Sequence, residues 1–265
     1  MLSDVTTNPT LRRAIVRLPG ANFADGLTNA APGAPDLARA LEQHAAYRDA
    51  LVRCGLELTI LPADPAHPDG TFVEDAAVLA AGAAMITRPG APSRRGEIDV
   101  IRAALADLGV AMSTIDAPGT LDGGDVCDTG EHVFIGISER TNAHGAAQLA
   151  EWFAAFGRQV WQVDIRALGS ILHLKSGVAE LGDGCLLLID ELAAQPAFAA
   201  FDRIVVDADE AYAANAVRIN DHVLLASGHP RLEEWLARAG YRTLALDMSE
   251  FAKMDGGLSC LSLRF

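Results

Sequence analysis

Four short clusters of reactive side chains in this chain could together support nucleophilic catalysis. The clusters are Glu74-Asp75, Asp122-Gly-Gly-Asp125, His173-Leu-Lys175 and the single residue Cys260. A thiol, an imidazole that accepts and donates protons, and a carboxylate that orients the imidazole form a nucleophile, a general acid/base and its partner. Cys260, His173 and Asp122 supply these three groups, which predicts attack on an electrophilic carbon by a thiolate.

The local sequence around Cys260 suits a nucleophile. Gly256 and Gly257 permit a tight turn, and residues 258–263 alternate apolar and small polar side chains, which predicts a strand beginning near Cys260. A cysteine held rigidly beyond a turn has room for a substrate. The alternative is a buried structural cysteine. His173 lies in a similar apolar, strand-like pattern, where a core histidine is the alternative.

Two adjacent acids, Glu74 and Asp75, are flanked by apolar residues on both sides. At least one of the carboxylates should therefore face the interior, where it needs a charged or hydrogen-bonded partner. An arginine of the chain, such as Arg94 or Arg95, would serve. The guanidinium of a substrate would serve equally, because it can donate two parallel hydrogen bonds to a carboxylate.

Charge and composition restrict the partners. The 35 acidic residues outnumber the 21 lysines and arginines, giving a net charge of −14. Such a surface repels phosphates, so nucleic acid and anionic membranes are poor candidates and a cationic ligand is weakly favoured. No stretch approaches the roughly 20 apolar residues of a membrane span, and the N-terminus has no basic segment leading into an apolar core. The four cysteines are widely spaced and form no CxxC pair, so a reducing, cytoplasmic location is predicted.

The elements that must position the four clusters form a repeat. Apolar periodicity predicts units of a strand pair, a helix and a strand, about 40 to 50 residues each, as in radial repeats. In one unit, residues 83–87 form a strand, residues 97–108 a helix and residues 110–115 the next strand. The first long helix covers residues 36–53, with Asp36 as its N-cap. Units arranged around an axis would bring the clusters together at the centre of an α/β fold.

Other chemistries lack their motifs. The sequence contains no HExxH, no paired aspartate–histidine clusters of a binuclear metal site, no GxGxxG after its first strand and no GxxxxGK[ST].

Six motifs, in order along the chain, resemble those of dimethylarginine dimethylaminohydrolase. They are Phe72-Val-Glu-Asp75, Thr87-Arg-Pro-Gly-Ala-Pro-Ser-Arg-Arg-Gly-Glu97, Leu121-Asp-Gly-Gly-Asp-Val126, Ser138-Glu-Arg-Thr-Asn142, His173-Leu-Lys-Ser176 and Met254-Asp-Gly-Gly-Leu-Ser-Cys260. The resemblance runs from about Leu18 to the C-terminus. It implies the pentein fold of the guanidino-group-modifying enzymes, a five-bladed α/β propeller of ββαβ repeats around a central active site. It further implies a single catalytic domain over residues 1–265, with neither a metal nor an organic cofactor.

The resemblance also implies roles for individual residues. Cys260 would be the nucleophile and His173 the general acid/base, with Asp122 orienting His173 and Asp125 serving the structure. The implied substrate-binding residues are Glu74 and Asp75 for the guanidinium, Arg94 and Arg140 for the α-carboxylate, Asp69 and the carbonyls of Leu27 and Met254 for the α-amino end, and Asp255. The implied reaction converts Nω-methylated arginine to citrulline and a methylamine through a covalent thiouronium on the cysteine.

Two alternatives stay open. Arginine and agmatine deiminases of the same superfamily usually carry an aspartate two residues after the catalytic histidine, whereas Lys175 occupies that position here. A lysine weakens binding of an unsubstituted guanidinium, which favours methylated arginines. The second alternative is a non-catalytic propeller, which the intact Cys260 and His173 argue against. The sequence does not decide between mono- and dimethylarginine, whether Asp122 or Asp125 orients His173, or whether the chain forms a homodimer.

Overall fold

The computed structural model describes residues 10–29 and 33–265 of the chain. The sequence predicts no secretory signal at the N-terminus, and most of that segment lies outside the described residues. Among the described residues, fifteen strands form five three-stranded sheets. The strands are β1 (Arg13–Arg17), β2 (Glu57–Leu61), β3 (Ala77–Ala80), β4 (Ala83–Ile86), β5 (Ala111–Thr114), β6 (Val126–Asp128), β7 (His132–Ile137), β8 (Gln159–Asp164), β9 (Val178–Gly182), β10 (Cys185–Leu188), β11 (Asp202–Val205), β12 (Val217–Ile219), β13 (His222–Ala226), β14 (Arg242–Leu246) and β15 (Leu263–Arg264). The helices are α1 (Leu37–Arg53), α2 (Ile98–Asp107), α3 (Ala143–Ala154), α4 (Asp190–Ala193), α5 (Pro230–Arg238) and α6 (Ser249–Ala252).

Each sheet belongs to one repeat unit of the same design. Two strands pair antiparallel, a helix follows, and the third strand pairs parallel with the second, as in β6, β7, α3 and β8. A parallel neighbour requires a crossover connection, and the helix supplies it. The fifth unit joins the two ends of the chain, because β15 pairs antiparallel with β1, and β1 pairs parallel with β2.

Local sequence explains the helices. The carboxylate of Asp36 accepts the backbone N–H of Arg39 at 3.0 Å, so the predicted N-cap starts α1. Tyr47 and Leu51 of α1 are fully buried. Phe153 of α3 is also fully buried, and burying a side chain of this size contributes about 1.5–3 kcal/mol. No helix in the described part of the chain is both long and apolar enough to cross a membrane.

The reactive clusters do not lie on strands, contrary to the sequence prediction. They lie on, or directly before, 3-10 turns that precede the first strand of four units: Val73–Ala76, Gly123–Asp125, Leu174–Ser176 and Ser259–Leu261. Asp122 and His173 are the residues directly before the second and third of these turns. In the last of these turns, Ser259 and Leu261 are buried while Cys260 is partly exposed. That burial pattern imitates the alternation of a strand over a short run, which explains the wrong assignment.

Candidate active site

The 3-10 turns of successive units pack against one another at the centre of the molecule. This packing brings together residues that are far apart in sequence, since Glu74 and Ser259 are hydrogen-bonded across 185 positions. Glycines allow the close approach. A Cβ atom at Gly124 would lie 2.9 Å from both the Asp75 carboxylate and the ring of His173.

His173 is held by Asp122. Nε2 of the ring lies 3.0 Å from Oδ2 of the fully buried carboxylate, whose Oδ1 accepts the Gly90 N–H at 2.8 Å. Nδ1 is the ring nitrogen left without a bond to Asp122. Asp125 instead accepts the Ser138 hydroxyl at 2.6 Å and the Leu174 N–H at 3.0 Å. The structure thus places Asp122 on the histidine and gives Asp125 the bonds of a structural residue.

Three carboxylates control the charge of His173. Burial alone would lower the pKa of the ring, but the nearby negative charges outweigh it and raise the pKa to about 9. The charges are those of Asp75, Asp122 and Asp125. At neutral pH the ring is therefore protonated and able to donate a proton.

Asp75 is paired within the protein. Its carboxylate accepts Nη1 of Arg94 at 2.6 Å and the Gly124 N–H at 2.9 Å. Although burial opposes ionisation, the positive charges of His173 and Arg94 hold the pKa of Asp75 below its usual range. The internal arginine partner that the sequence allowed for this pair of acids is thus present.

Glu74 joins three units of the propeller. Its carboxylate accepts the Ser259 hydroxyl at 2.7 Å, Nη2 of Arg264 at 3.3 Å and the ammonium of Lys175. Ser259 is the residue directly before Cys260, so Glu74 supports the turn that carries the thiol.

Cys260 faces these acids. Sγ accepts the backbone N–H of Gly257 at 3.5 Å. Burial raises the pKa of the thiol, and the negative charges of Glu74 and Asp75 raise it further, to about 12. Without a ligand, the group is therefore a thiol at neutral pH.

The acids and the histidine also have the composition of a metal site. Ligand atoms of Asp75, Asp122 and His173 lie within 4.8 Å of one another. A metal requires a neutral imidazole, whereas this ring is protonated at neutral pH and Asp75 is already bound to Arg94. The arrangement is better suited to proton transfer.

Comparison with known proteins identifies the family of the chain. A family model described as "N,N dimethylarginine dimethylhydrolase, eukaryotic" matches residues 33–195. An N(G),N(G)-dimethylarginine dimethylaminohydrolase of Pseudomonas aeruginosa is 42% identical over 255 residues, covering 96% of this chain and 99% of the relative. The chain belongs to the dimethylarginine dimethylaminohydrolase family.

Solved structures agree with this placement. A cysteine-to-serine variant of the P. aeruginosa dimethylarginine dimethylaminohydrolase, complexed with citrulline, superposes with a TM-score of 0.93 at 42% identity, covering 97% of this chain and 100% of that chain. A histidine-to-glycine variant of a dimethylarginine dimethylaminohydrolase, an adduct with S-methyl-L-thiocitrulline, gives a TM-score of 0.92 at the same identity and coverage. The predictions of a five-bladed α/β propeller and of a dimethylargininase-type hydrolase are confirmed.

Within this dimethylarginine dimethylaminohydrolase-type site, two groups expected to hold the amino-acid end of a substrate lie near each other. Asp69 is buried and accepts the Leu27 N–H at 3.0 Å. Burial raises the pKa of its carboxyl despite the nearby positive charges of Arg94 and Arg140. Nη1 of Arg140 is buried and has no hydrogen-bond partner among the described residues. A buried, unpaired guanidinium nitrogen calls for an anion, because leaving it unpaired is costly.

Arg94 occupies a different environment from the one predicted. It is buried, and its guanidinium donates to Glu97 at 2.8 Å and to the Phe72 carbonyl at 3.1 Å, besides Asp75. The structure therefore shows Arg94 supporting the acids. Its contact with a substrate carboxylate stays a prediction.

Asp255 and Met254 contact the loop of residues 26–29, the loop that carries Leu27. The Asp255 carboxylate accepts the Asn29 N–H at 2.7 Å and the Thr28 hydroxyl at 3.2 Å. Met254 is buried, and its methyl group would lie 3.1 Å from a Cβ atom at Gly26. Both residues hold the loop that carries Leu27, and their direct contact with a substrate stays a prediction.

Sequence reasoning missed two residues at this site, Ser259 and Asn215. Ser259 links Glu74 to the turn of Cys260, and Asn215 is hydrogen-bonded to Ser259 from the fourth unit. Asn215 follows the 3-10 turn Ala208–Ala214, the counterpart of the turns that carry the other clusters. Its position in the repeat was the signal that could have identified it.

Proposed function

We propose that this enzyme hydrolyses Nω-methylated arginines through a thiouronium intermediate on Cys260. The observation that carries the proposal is the placement of this thiol near two carboxylates, Glu74 and Asp75. Asp75 in turn lies within 4.8 Å of the hydrogen-bonded pair of His173 and Asp122. A cationic guanidinium fits this surrounding. The cysteine and histidine variants of the similar solved structures, with citrulline and a thiocitrulline adduct, support it.

Substrate binding would generate the nucleophile. Burial, together with the charges of Glu74 and Asp75, keeps the thiol of Cys260 protonated in the free enzyme. A guanidinium bound beside them offsets these charges and favours the thiolate. The nucleophile then forms mainly when a substrate is present.

Proton transfer by His173 completes the chemistry. Sγ of Cys260 bonds to the guanidinium carbon, and the C–N bond to dimethylamine breaks as protonated His173 gives the leaving nitrogen a proton. The neutral ring then takes a proton from water, whose oxygen bonds to the same carbon. The C–S bond breaks, which releases the thiolate, and the hydroxyl proton passes to solvent to leave neutral citrulline. Asp122 holds Nε2 in place, and Nδ1 is the nitrogen that exchanges protons.

Lys175 favours this substrate over arginine. Its ammonium is bonded to Glu74, in the position where the deiminases of the superfamily usually carry an aspartate. An ammonium there gives no acceptor for the protons of an unsubstituted guanidinium nitrogen, whereas a dimethylated nitrogen has no protons to donate. The arginine and agmatine deiminase alternative is therefore less supported.

A panel of four substrates tests the proposed function. We expect dimethylarginine and monomethylarginine to yield citrulline and the matching methylamine, and arginine and agmatine to react poorly. Agmatine lacks the carboxylate that Arg140 is proposed to bind. Mass spectrometry of the products and ammonia assays distinguish the outcomes. Faster turnover of arginine or agmatine would support a deiminase instead.

Three further predictions complete the proposal. The chain forms one catalytic domain over residues 1–265, acts in the cytoplasm and can assemble as a homodimer. The family placement is compatible with each of them.

A further inference from the structure

Asn215 is a buried polar side chain that no step of the reaction uses. It is 6% exposed and lies just after the 3-10 turn of the fourth unit. The matching turns of the other units carry the acids, the histidine and the thiol. The fourth unit contributes the amide of Asn215 to the same centre, together with the hydroxyl of Tyr212, which donates to the Gly256 carbonyl at 2.8 Å.

The amide of Asn215 joins the third unit to the fifth. Nδ2 donates to the Lys175 carbonyl at 2.9 Å and to the Ser259 hydroxyl at 3.1 Å, and Oδ1 accepts the Ser259 N–H at 2.9 Å. A carbonyl only accepts and a backbone N–H only donates. The partners therefore fix which way the amide points.

Asn215 also packs against Gly257, which lies shortly before the turn that carries Cys260. A Cβ atom at Gly257 would lie 2.5 Å from Cγ and Oδ1 of Asn215. Gly257 in turn donates its N–H to Sγ of Cys260 at 3.5 Å. Asn215 therefore contacts two residues that precede the thiol, Gly257 by packing and Ser259 by hydrogen bonds.

We propose that Asn215 is a positioning residue that fixes the turn of Cys260 so that the thiol meets the guanidinium carbon. The inference rests on the proposed role of Cys260 as the nucleophile. Loss of the amide frees the turn and weakens the N–H bond to Sγ, so the attack geometry suffers more than substrate binding does. A misplacement of about 1 Å can cost on the order of 100-fold in rate.

The chain contains a matched control in Asn220. Its Nδ2 donates to the carbonyls of Leu11 and Cys54 at 3.0 and 2.8 Å, and its Oδ1 accepts the Leu11 N–H at 2.9 Å. This amide makes the same three kinds of bond as Asn215, but its partners are Leu11 and Cys54 rather than the residue before the thiol. Asn215→Asp and Asn220→Asp each replace the amide nitrogen, which donates two hydrogen bonds, with an oxygen, and they keep the shape of the side chain.

The test compares Asn215→Ala, Asn215→Asp and Asn220→Asp with the wild type. For both Asn215 variants we expect kcat to fall about 10- to 100-fold with KM changed less than about threefold. Alkylation of Cys260 by iodoacetamide should also slow, with its pH profile shifted upward. Asn220→Asp should lower the melting temperature with kcat near the wild-type value. Asn215→Ala removes the amide without adding a charge. Asn215→Asp adds a charge but keeps the shape of the side chain, so it serves as the test if the alanine variant does not fold.

A folded Asn215 variant with kcat and alkylation within twofold of Asn220→Asp would overturn the inference and leave Asn215 a structural residue. The proposed function fails by a separate result: turnover retained by Cys260→Ser would contradict it, whatever the Asn215 variants show.

Discussion

The carboxylates around Cys260 act on two titratable groups at once. Glu74 and Asp75 add to burial in raising the pKa of the thiol to about 12, while Asp75 is among the carboxylates that raise the pKa of His173 to about 9. Both groups are therefore protonated in the resting enzyme at neutral pH. This is the state needed by a general acid, and it leaves thiolate formation to the substrate's positive charge.

The thiol pKa predicts how free enzyme reacts with iodoacetamide. Alkylation of Cys260 at about pH 7 should be far slower than that of a free cysteine, whose pKa is about 8.5. The rate should rise about tenfold per pH unit up to at least about pH 10, since only the thiolate reacts. Peptide mapping after timed quenches measures it. A plateau near pH 8 would show that the acids do not hold the thiol in its protonated form.

The unpaired nitrogen of Arg140 predicts a change in substrate binding. Arg140→Ala should raise KM for dimethylarginine about 10- to 100-fold, because one charged hydrogen bond to the substrate is lost. The melting temperature should change little. Arg203→Ala, an exposed arginine bonded to the Ala193 carbonyl, is the control and should keep KM within twofold. An unchanged KM in Arg140→Ala would show that the carboxylate binds elsewhere.

At the scale of elements, the sequence predicts those strands and helices that have a clear apolar periodicity or an N-cap. The strand His132–Ile137 and the helix after Asp36 follow directly from an apolar run and an N-cap. Strand β11, with only Ile204 buried, gives no such signal and was not predicted. The turn of Cys260 was assigned to a strand because Ser259 and Leu261 are buried while Cys260 is partly exposed. The turns Val73–Ala76 and Gly123–Asp125 are buried throughout, and their sequences were therefore read as buried strands. The site residues were predicted from motifs, whereas Asn215 has no motif and depends on three-dimensional placement.

Packing between turns predicts that Gly123 tolerates no side chain. A Cβ atom there would lie 2.1 Å from the Glu74 carbonyl oxygen, a backbone atom that cannot move aside without displacing the acids. Gly123→Ala should lower the free energy of unfolding by about 1–3 kcal/mol and reduce kcat/KM. Gly169→Ala, with no heavy atom within 4 Å, is the control and should stay within about 0.5 kcal/mol. Equal urea midpoints for the two variants would contradict the packing.

At the scale of the whole molecule, the two ends of the chain close the ring. Phe265 accepts the N–H groups of Arg12 and Arg13 at 2.9 and 2.8 Å and donates to the Arg13 carbonyl at 3.0 Å. The nucleophile's turn is thereby anchored to a strand from the opposite end of the sequence. Single-residue patterns predict the separate strands but not this pairing, because it joins segments about 250 residues apart. The ββαβ repeat indicated units around an axis, and the family resemblance implied five of them.

A buried histidine outside the site predicts how stability depends on pH. His44 of α1 is fully buried, and neither ring nitrogen has a partner among the described residues. Burial, aided by Arg48, lowers its pKa to about 4. The unfolded chain, with an ordinary pKa near 6.5, therefore binds more protons between these values. Stability is fully present above about pH 6.5 and falls towards pH 4, by up to roughly 3 kcal/mol from this residue.

His44→Leu should remove that part of the acid sensitivity. The difference in unfolding free energy between about pH 7 and pH 4.5, from urea titrations, should be smaller in the variant than in the wild type. His144→Leu, on the exposed face of α3, is the control and should keep the wild-type difference. Identical pH dependence in His44→Leu and the wild type would show that His44 is not the buried neutral group.

The covalent step is the centre of this account, and peptide mass spectrometry of acid-quenched enzyme tests it most directly. Enzyme turning over dimethylarginine is quenched in acid within one turnover and digested. We expect a mass increase equal to dimethylarginine minus dimethylamine, located on the peptide that contains Cys260 and absent in Cys260→Ser, which should also lack turnover. Unmodified Cys260 throughout turnover, together with citrulline formation by Cys260→Ser, would contradict the account.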